Sequence, residues 1–228
     1  MLWYKGWLET RWRLIIAFGW IAWFLIAEYS RGTKGPAGVA ALSSGAMIIA
    51  VVIPMFFVGA GIATQPAFRM AKGLQGSTVF TLSLPVSRFR LLATRACLGW
   101  LVLAAAIGIM CCGMWVLFPV LRAATTGVKM LEYAGSLLVC GSGLYAIGVL
   151  LATFLEEQWR LWGNILVIGA LWWLSDKMAP AYANIFRAMN DGSPLIAHTV
   201  PWTAMGVSLG LAAILFVAAL KVVQTREY

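Results

Sequence analysis

Side chains able to do chemistry are few and far apart in this 228-residue chain. The one histidine, His198, stands shortly before Pro201. Ser43-Ser44-Gly45 is the cluster that could hold a nucleophile. A nucleophilic serine needs a base within hydrogen-bond reach, and no spacing pairs these serines with His198. An intramembrane protease or acyltransferase is therefore a weak reading. Cys97, Cys111, Cys112 and Cys140 all lie inside apolar runs. They read as small buried or lipid-facing residues rather than as a disulfide or metal set, and no metal site is expected. Glu28, Glu132, Glu156, Glu157, Asp176 and Asp191 fall at the ends of apolar stretches or in loops. A proton-driven carrier keeps an ionisable group in mid-membrane, so a proton relay is disfavoured. The GxxxxGK[ST] phosphate-binding element does not occur in the sequence, and energy for active transport must come from another chain. No catalytic residue and no cofactor on this chain are expected.

The elements that must carry these residues follow from composition. Hydrophobic residues make up 62% and charged residues 11% of the chain, with a mean hydropathy of +0.87. Soluble domains carry about a quarter charged residues, so lipid is the solvent this chain requires. Hydrocarbon about 30 Å thick needs about 20 helical residues to cross it. Apolar stretches at 14–29, 37–64, 96–121, 133–155, 161–174 and 200–223 qualify or nearly do. Pro54 should kink the second, and Asp176 with Lys177 cuts the fifth short. The runs are continuous rather than alternating, which favours helices over a β-barrel. The expected fold is an all-α integral membrane protein with six transmembrane helices, forming one domain over residues 1–228.

Lysine and arginine give the orientation. With both ends inside, the inner set is Lys5, Arg11, Arg13, Arg69, Lys72, Arg88, Arg90, Arg95, Arg160, Lys221 and Arg226. The outer set is Arg31, Lys34, Arg122, Lys129, Lys177 and Arg187. The excess of basic residues on cytoplasmic loops then places both termini in the cytoplasm of a cell membrane. The formal charge of +9 faces anionic lipid or a partner protein, not nucleic acid.

Residues 2–12 put Trp3, Tyr4, Trp7, Leu8 and Trp12 on one helical face, with Lys5, Glu9 and Arg13 on the other. That pattern predicts an interfacial helix on the inner leaflet rather than a secretory signal. Trp100, Trp159 and Trp162 fall at the inner interface, and Trp172, Trp173 and Trp202 toward the outer one. The deeper Trp20 and Trp23 read as lipid or helix contacts. Gly206 and Gly210 form a GxxxG pair that could pack against another helix or a second copy.

The longest and most basic cytoplasmic connection is 65–95. Ser77 or Thr78 can cap a short helix over 79–84, and Pro85 discourages its continuation. Ser87 can cap a second helix that begins at Arg88 and runs into the third span. A short helix held on the cytoplasmic face by two spans is a lever, and a soluble partner gripping it can move both.

Gly76-Ser77-Thr78, followed by Leu82-Ser83-Leu84-Pro85-Val86-Ser87-Arg88 and a basic run into an apolar span, resembles the ATP-binding-cassette type 2 permease family. The resemblance implies six spans, an interfacial N-terminal helix and a coupling helix between spans two and three. It also implies a separate ATPase chain, carrying ATP and Mg, two copies of which dock beneath a permease dimer. By position, Ser77, Thr78 and Leu82 would lie in the coupling helix and Pro85, Ser87 and Arg88 at its exit. Gly76 and Leu84 complete the expected ATPase-coupling set. Where the family often has acidic residues, this chain has Met70-Ala71-Lys72-Gly73-Leu74-Gln75. The family commonly breaks its fifth helix near the outer surface, and the outer segment 179–199, with Pro180 and Pro194, fits that habit.

Glu156 and Glu157 close the fourth span on the inner side. They read either as a solvated helix end or as a second ATPase contact. The expected function is the permease subunit of an ATP-driven exporter, acting as a homodimer or with a second similar permease. The alternatives are a membrane scaffold or a passive pore. The aromatic, weakly charged spans favour an amphipathic substrate.

Overall fold

The computed structural model describes residues 2–32, 35–53, 88–155 and 157–225. The described residues are helical, with no strand among them: α1 (Leu2–Ser30), α2 (Gly35–Ile53), α3 (Arg88–Leu117), α4 (Pro119–Ala124), α5 (Gly127–Phe154), α6 (Glu157–Met178), α7 (Ile185–Met189) and α8 (Trp202–Thr225).

Three stretches among them are long and apolar enough to cross a membrane: Leu92–Leu117 in α3, Gly127–Thr153 in α5 and Trp202–Gln224 in α8. This is fewer than the six expected. The apolar parts of α1 and α2 are the shorter stretches Ile15–Ser30 and Ala37–Val52. In α6 the apolar run is bounded by Arg160 and Asp176. Residues 2–12 do not form a separate helix before the first span. They belong to α1, which runs unbroken for 29 residues, about 43 Å at 1.5 Å per residue. Gly6 interrupts the pattern there, and one glycine costs a helix only about 1 kcal/mol relative to alanine.

The third span breaks where a continuous helix was predicted. Pro119 has no N–H to donate and its ring clashes with the carbonyl one turn back, so α3 stops and α4 starts with Pro119 in its first turn. Phe118 at the break is buried and lies edge-to-face with Tyr29 of α1, centroids 6.4 Å apart. Thr126 then caps α5, its hydroxyl accepting from Lys129 N–H. Helix α3 is described from Arg88 and α2 as far as Ile53; Ser87, the expected cap, and Pro54, the expected kink, lie outside the described residues.

Helix α5 is the centre of the bundle. It packs most extensively on α8 and also touches α2, α3, α6 and α7, while α1 lies on α3. The apolar stretch of α5 is 67% buried and that of α8 only 11%, so α8 turns most of its surface outward. The α5–α8 crossing is close because Gly143 has no Cβ: one placed there would fall 2.5 Å from Ser208 Oγ and 3.1 Å from the Ser208 carbonyl. Ser208 Oγ accepts from Gly143 N–H at 3.1 Å and lies 2.9 Å from the carbonyl oxygens of Val139 and Cys140. Helices in lipid gain little from excluding water, so small residues and close backbone approach supply the attraction. A parallel device ties α3 to α5, where Tyr145 OH donates to Ala96 O at 2.6 Å and Trp100 Nε1 donates to Ser142 Oγ at 2.9 Å. Trp100 is thus held by a neighbouring helix as well as facing outward. Trp20 and Trp23 are exposed on α1, with centroids 5.7 Å apart in edge geometry.

Candidate functional site

Between α6 and α8 the chain leaves regular structure for residues 179–201, apart from the short α7. Asn184 organises the start of this segment, here called the cap. Its side-chain oxygen accepts from the N–H groups of Phe186 and Arg187 at the start of α7, at 3.0 and 3.1 Å. Its amide donates to Ser175 O of α6 at 3.1 Å. One side chain thereby satisfies orphan donors of one helix and an orphan carbonyl of another. Phe186 stacks on Trp172 of α6 at 6.0 Å between centroids. Thr203 of α8 donates to the Tyr182 carbonyl.

The second half of the cap turns inward. Asn190 N–H and Gly192 N–H both bond to Arg187 O, at 3.1 and 2.8 Å, and Ile196 and Ala197 N–H bond to Ser193 O. These turns satisfy backbone polar groups locally, which irregular chain buried among apolar helices requires. Ser193 is fully buried and Leu195 nearly so.

The seat for this turn is formed by α2 and α5. Ser44 Oγ donates to Asn190 Oδ1 at 2.9 Å. Ser43 Oγ lies 3.3 Å from Ser193 Oγ and donates to Asn190 O at 3.4 Å. Tyr133 OH of α5 donates to the Ser43 carbonyl at 3.3 Å. Ser43 is eight residues into α2, so the cap reaches about 12 Å along that helix. Gly45, two residues further, lets the ring of Phe24 lie directly against α2, where any Cβ would overlap it. At the far end, Lys129 Nζ meets His198 Nδ1 at 3.3 Å.

The arrangement can do a definite set of things. The hydroxyl and amide groups at the seat are neutral, and they bind the cap rather than activate one another. Ser43 is partnered by Asn190 and Ser193, and the contact made by His198 is with Lys129 on another helix. The structure therefore does not bring His198 to the serine pair. Elsewhere in the bundle Ser136, Ser142 and Thr153 return their hydroxyls to carbonyls of their own helix. Glu28 is buried and ion-paired with Arg31 at 2.5 Å at the end of α1. Among the described residues no group of three or more His, Cys, Asp and Glu side chains could hold a metal.

Gly76, Ser77, Thr78, Leu82, Leu84, Pro85 and Ser87 lie outside the described residues, as does Glu156. Arg88 is the first residue of α3 and Glu157 the first of α6. Gly206 and Gly210 lie on the open face of α8, where an added Cβ would meet nothing within 4 Å. They take no part in the α5–α8 contact, which runs through Gly143 and Ser208. Asn184, Asn190, Ser193 and Tyr133 were not singled out by sequence. A signal was present: Asn190-Asp191-Gly192-Ser193-Pro194 is turn chemistry flanked by Phe186, Met189, Leu195 and Ile196, too apolar for a solvated loop. Comparison with family models, curated proteins and solved structures gave no match.

Proposed function

We propose that this chain is the permease subunit of an ATP-driven membrane transporter, and that residues 179–201 form the gate at its outer mouth. The single observation that carries this reading is the seating of irregular backbone about 12 Å along α2, on Ser43, Ser44 and Tyr133. Non-helical chain at membrane depth is tolerated only where it is buried in protein or lines an aqueous cavity. A scaffold has no use for such a segment, because a continuous apolar helix would fill the same space with its hydrogen bonds already made. A transporter needs a closure at one mouth that can be lifted.

The helix directions agree with this use. Helices α1, α3 and α6 end, and α2, α5 and α8 begin, at the end of the bundle that bears the cap. In the proposed topology each of these six crosses the membrane, α1, α2 and α6 through shorter apolar stretches, and both termini face the cytoplasm. The connection between α2 and α3 then lies on the cytoplasmic side, opposite the gate. It carries Gly76, Ser77, Thr78, Leu82, Leu84, Pro85, Ser87 and Arg88, the element resembling ATP-binding-cassette type 2 permeases. In this reading ATP-driven closure of a separate ATPase pair pushes that element. Movement passes through α3 to α5, and α5 releases the cap. The subunit works as a dimer with itself or a similar permease, and exports an amphipathic substrate.

Affinity purification of the chain from its native membrane in mild detergent, followed by mass spectrometry, tests the partner. A soluble ATPase bearing a phosphate-binding loop is expected. It should be lost when Leu84, Pro85 and Arg88 are replaced together. Recovery of this chain alone, or of partners without an ATPase, moves the reading to a passive pore or a scaffold.

A further inference from the structure

We propose that His198 and Lys129 form a proton-operated latch on the cap, closed while the imidazole is neutral and released when it is protonated. The inference rests on the cap being the part of the bundle that moves. Asn184 and Tyr182 tie the first half of the cap to α6 and α8. The second half is held by the serine seat and, at its exit, by His198. The backbone of His198 is in the left-handed region, φ 57°, the one such non-glycine residue among those described. Left-handed backbone is uncommon outside glycine, and histidine, with Asn and Asp, is among the side chains that adopt it most readily, so the contacts around the residue decide how firmly it is held there. The visible restraint is the 3.3 Å contact between its Nδ1 and Lys129 Nζ, in the first turn of α5.

That contact fixes the charge state it requires. An ammonium has only donors, so Nδ1 accepts and the ring proton sits on Nε2. A second proton would convert the acceptor to a donor and set two positive charges against each other. Histidine is the side chain whose ordinary titration falls between about pH 5 and 8. Among the described residues the other charged groups at this end of the bundle are Glu28 and Arg31, paired with each other at the end of α1, Arg122 of α4, Glu132 of α5, Asp176 and Lys177 of α6, and Arg187 and Asp191 of the cap. None of them bonds to the imidazole. With His198 exposed and Lys129 half-buried, screening by water limits the release to roughly tenfold in the population of open caps.

Hydrogen–deuterium exchange of the full chain in lipid nanodiscs at pH 7.5 and 5.5, scaled for intrinsic exchange, reads this directly. Peptides covering 190–199 should exchange about tenfold faster at pH 5.5 in the wild type, while α5 peptides stay unchanged. His198→Asn tolerates the left-handed backbone and stays neutral, so its profile should be flat. Lys129→Gln should also lose the acid step, because the repulsion is gone. An equal acid step in His198→Asn, or none in the wild type, overturns the latch. A flat profile in a chain whose ATP hydrolysis still depends on a free cap discards the latch and retains the gate. An acid step in a chain whose hydrolysis ignores a locked cap retains the latch and discards the gate.

Discussion

At the scale of single residues, Asn184 carries two jobs that substitution can separate. Its oxygen caps α7 and its amide closes Ser175 O at the end of α6. Asn184→Asp keeps the cap oxygen and loses the amide donor. Asn184→Ala loses both. Helix caps are worth about 1 kcal/mol and an ordinary hydrogen bond a similar amount, so alanine should destabilise about twice as much as aspartate. Thermal unfolding of the two variants in detergent checks this. Equal losses would mean that only one of the two contacts matters. The serine seat was half legible at this scale. Ser43 and Ser44 stand out as polar residues in an apolar run, but their partners Asn190 and Ser193 follow about 150 residues later. No local pattern links positions so far apart.

At the scale of elements, the contrast between two glycine sets is testable. Gly143→Ala should destabilise the α5–α8 pair by about 1–3 kcal/mol, the range for overpacking a close contact. Ser208→Ala should partly rescue it, because the new Cβ meets the Ser208 hydroxyl first. Gly206→Ala and Gly210→Ala should not lower monomer stability, since their faces are open and alanine is the better helix former. Loss of dimerisation in those two variants alone would make that face a seam between copies. A double-mutant cycle at 143 and 208 without coupling would show the crossing to be looser than described. Helix positions were mostly readable: the fourth, fifth and sixth predicted spans fall within or close to α5, α6 and α8. Their depth in the bundle was not, because every span is apolar all round and periodicity is silent when lipid and protein neighbours are equally apolar. Pro119 marks the break at Phe118, but the apolar run around it is long enough to read as one helix.

At the scale of the whole molecule, a plugged mouth and a cytoplasmic lever lie at opposite ends of one α5-centred bundle in the proposed topology. If Glu156 and Glu157 contribute a second ATPase contact, reversing both charges to lysine should weaken assembly severalfold and leave membrane insertion intact. Co-purification measured against total membrane-inserted chain reads this, and unchanged assembly would confine those residues to a solvated helix end. The measurement that bears most directly on the gate is ATP hydrolysis by the purified permease–ATPase complex with the cap locked. Ser43→Cys with Ser193→Cys, in a background with the four native cysteines replaced, joins positions whose hydroxyl oxygens lie 3.3 Å apart. Hydrolysis is expected to fall severalfold on oxidation and to return on reduction. Hydrolysis that stays the same with the cap cross-linked would contradict a gate coupled to the ATPase.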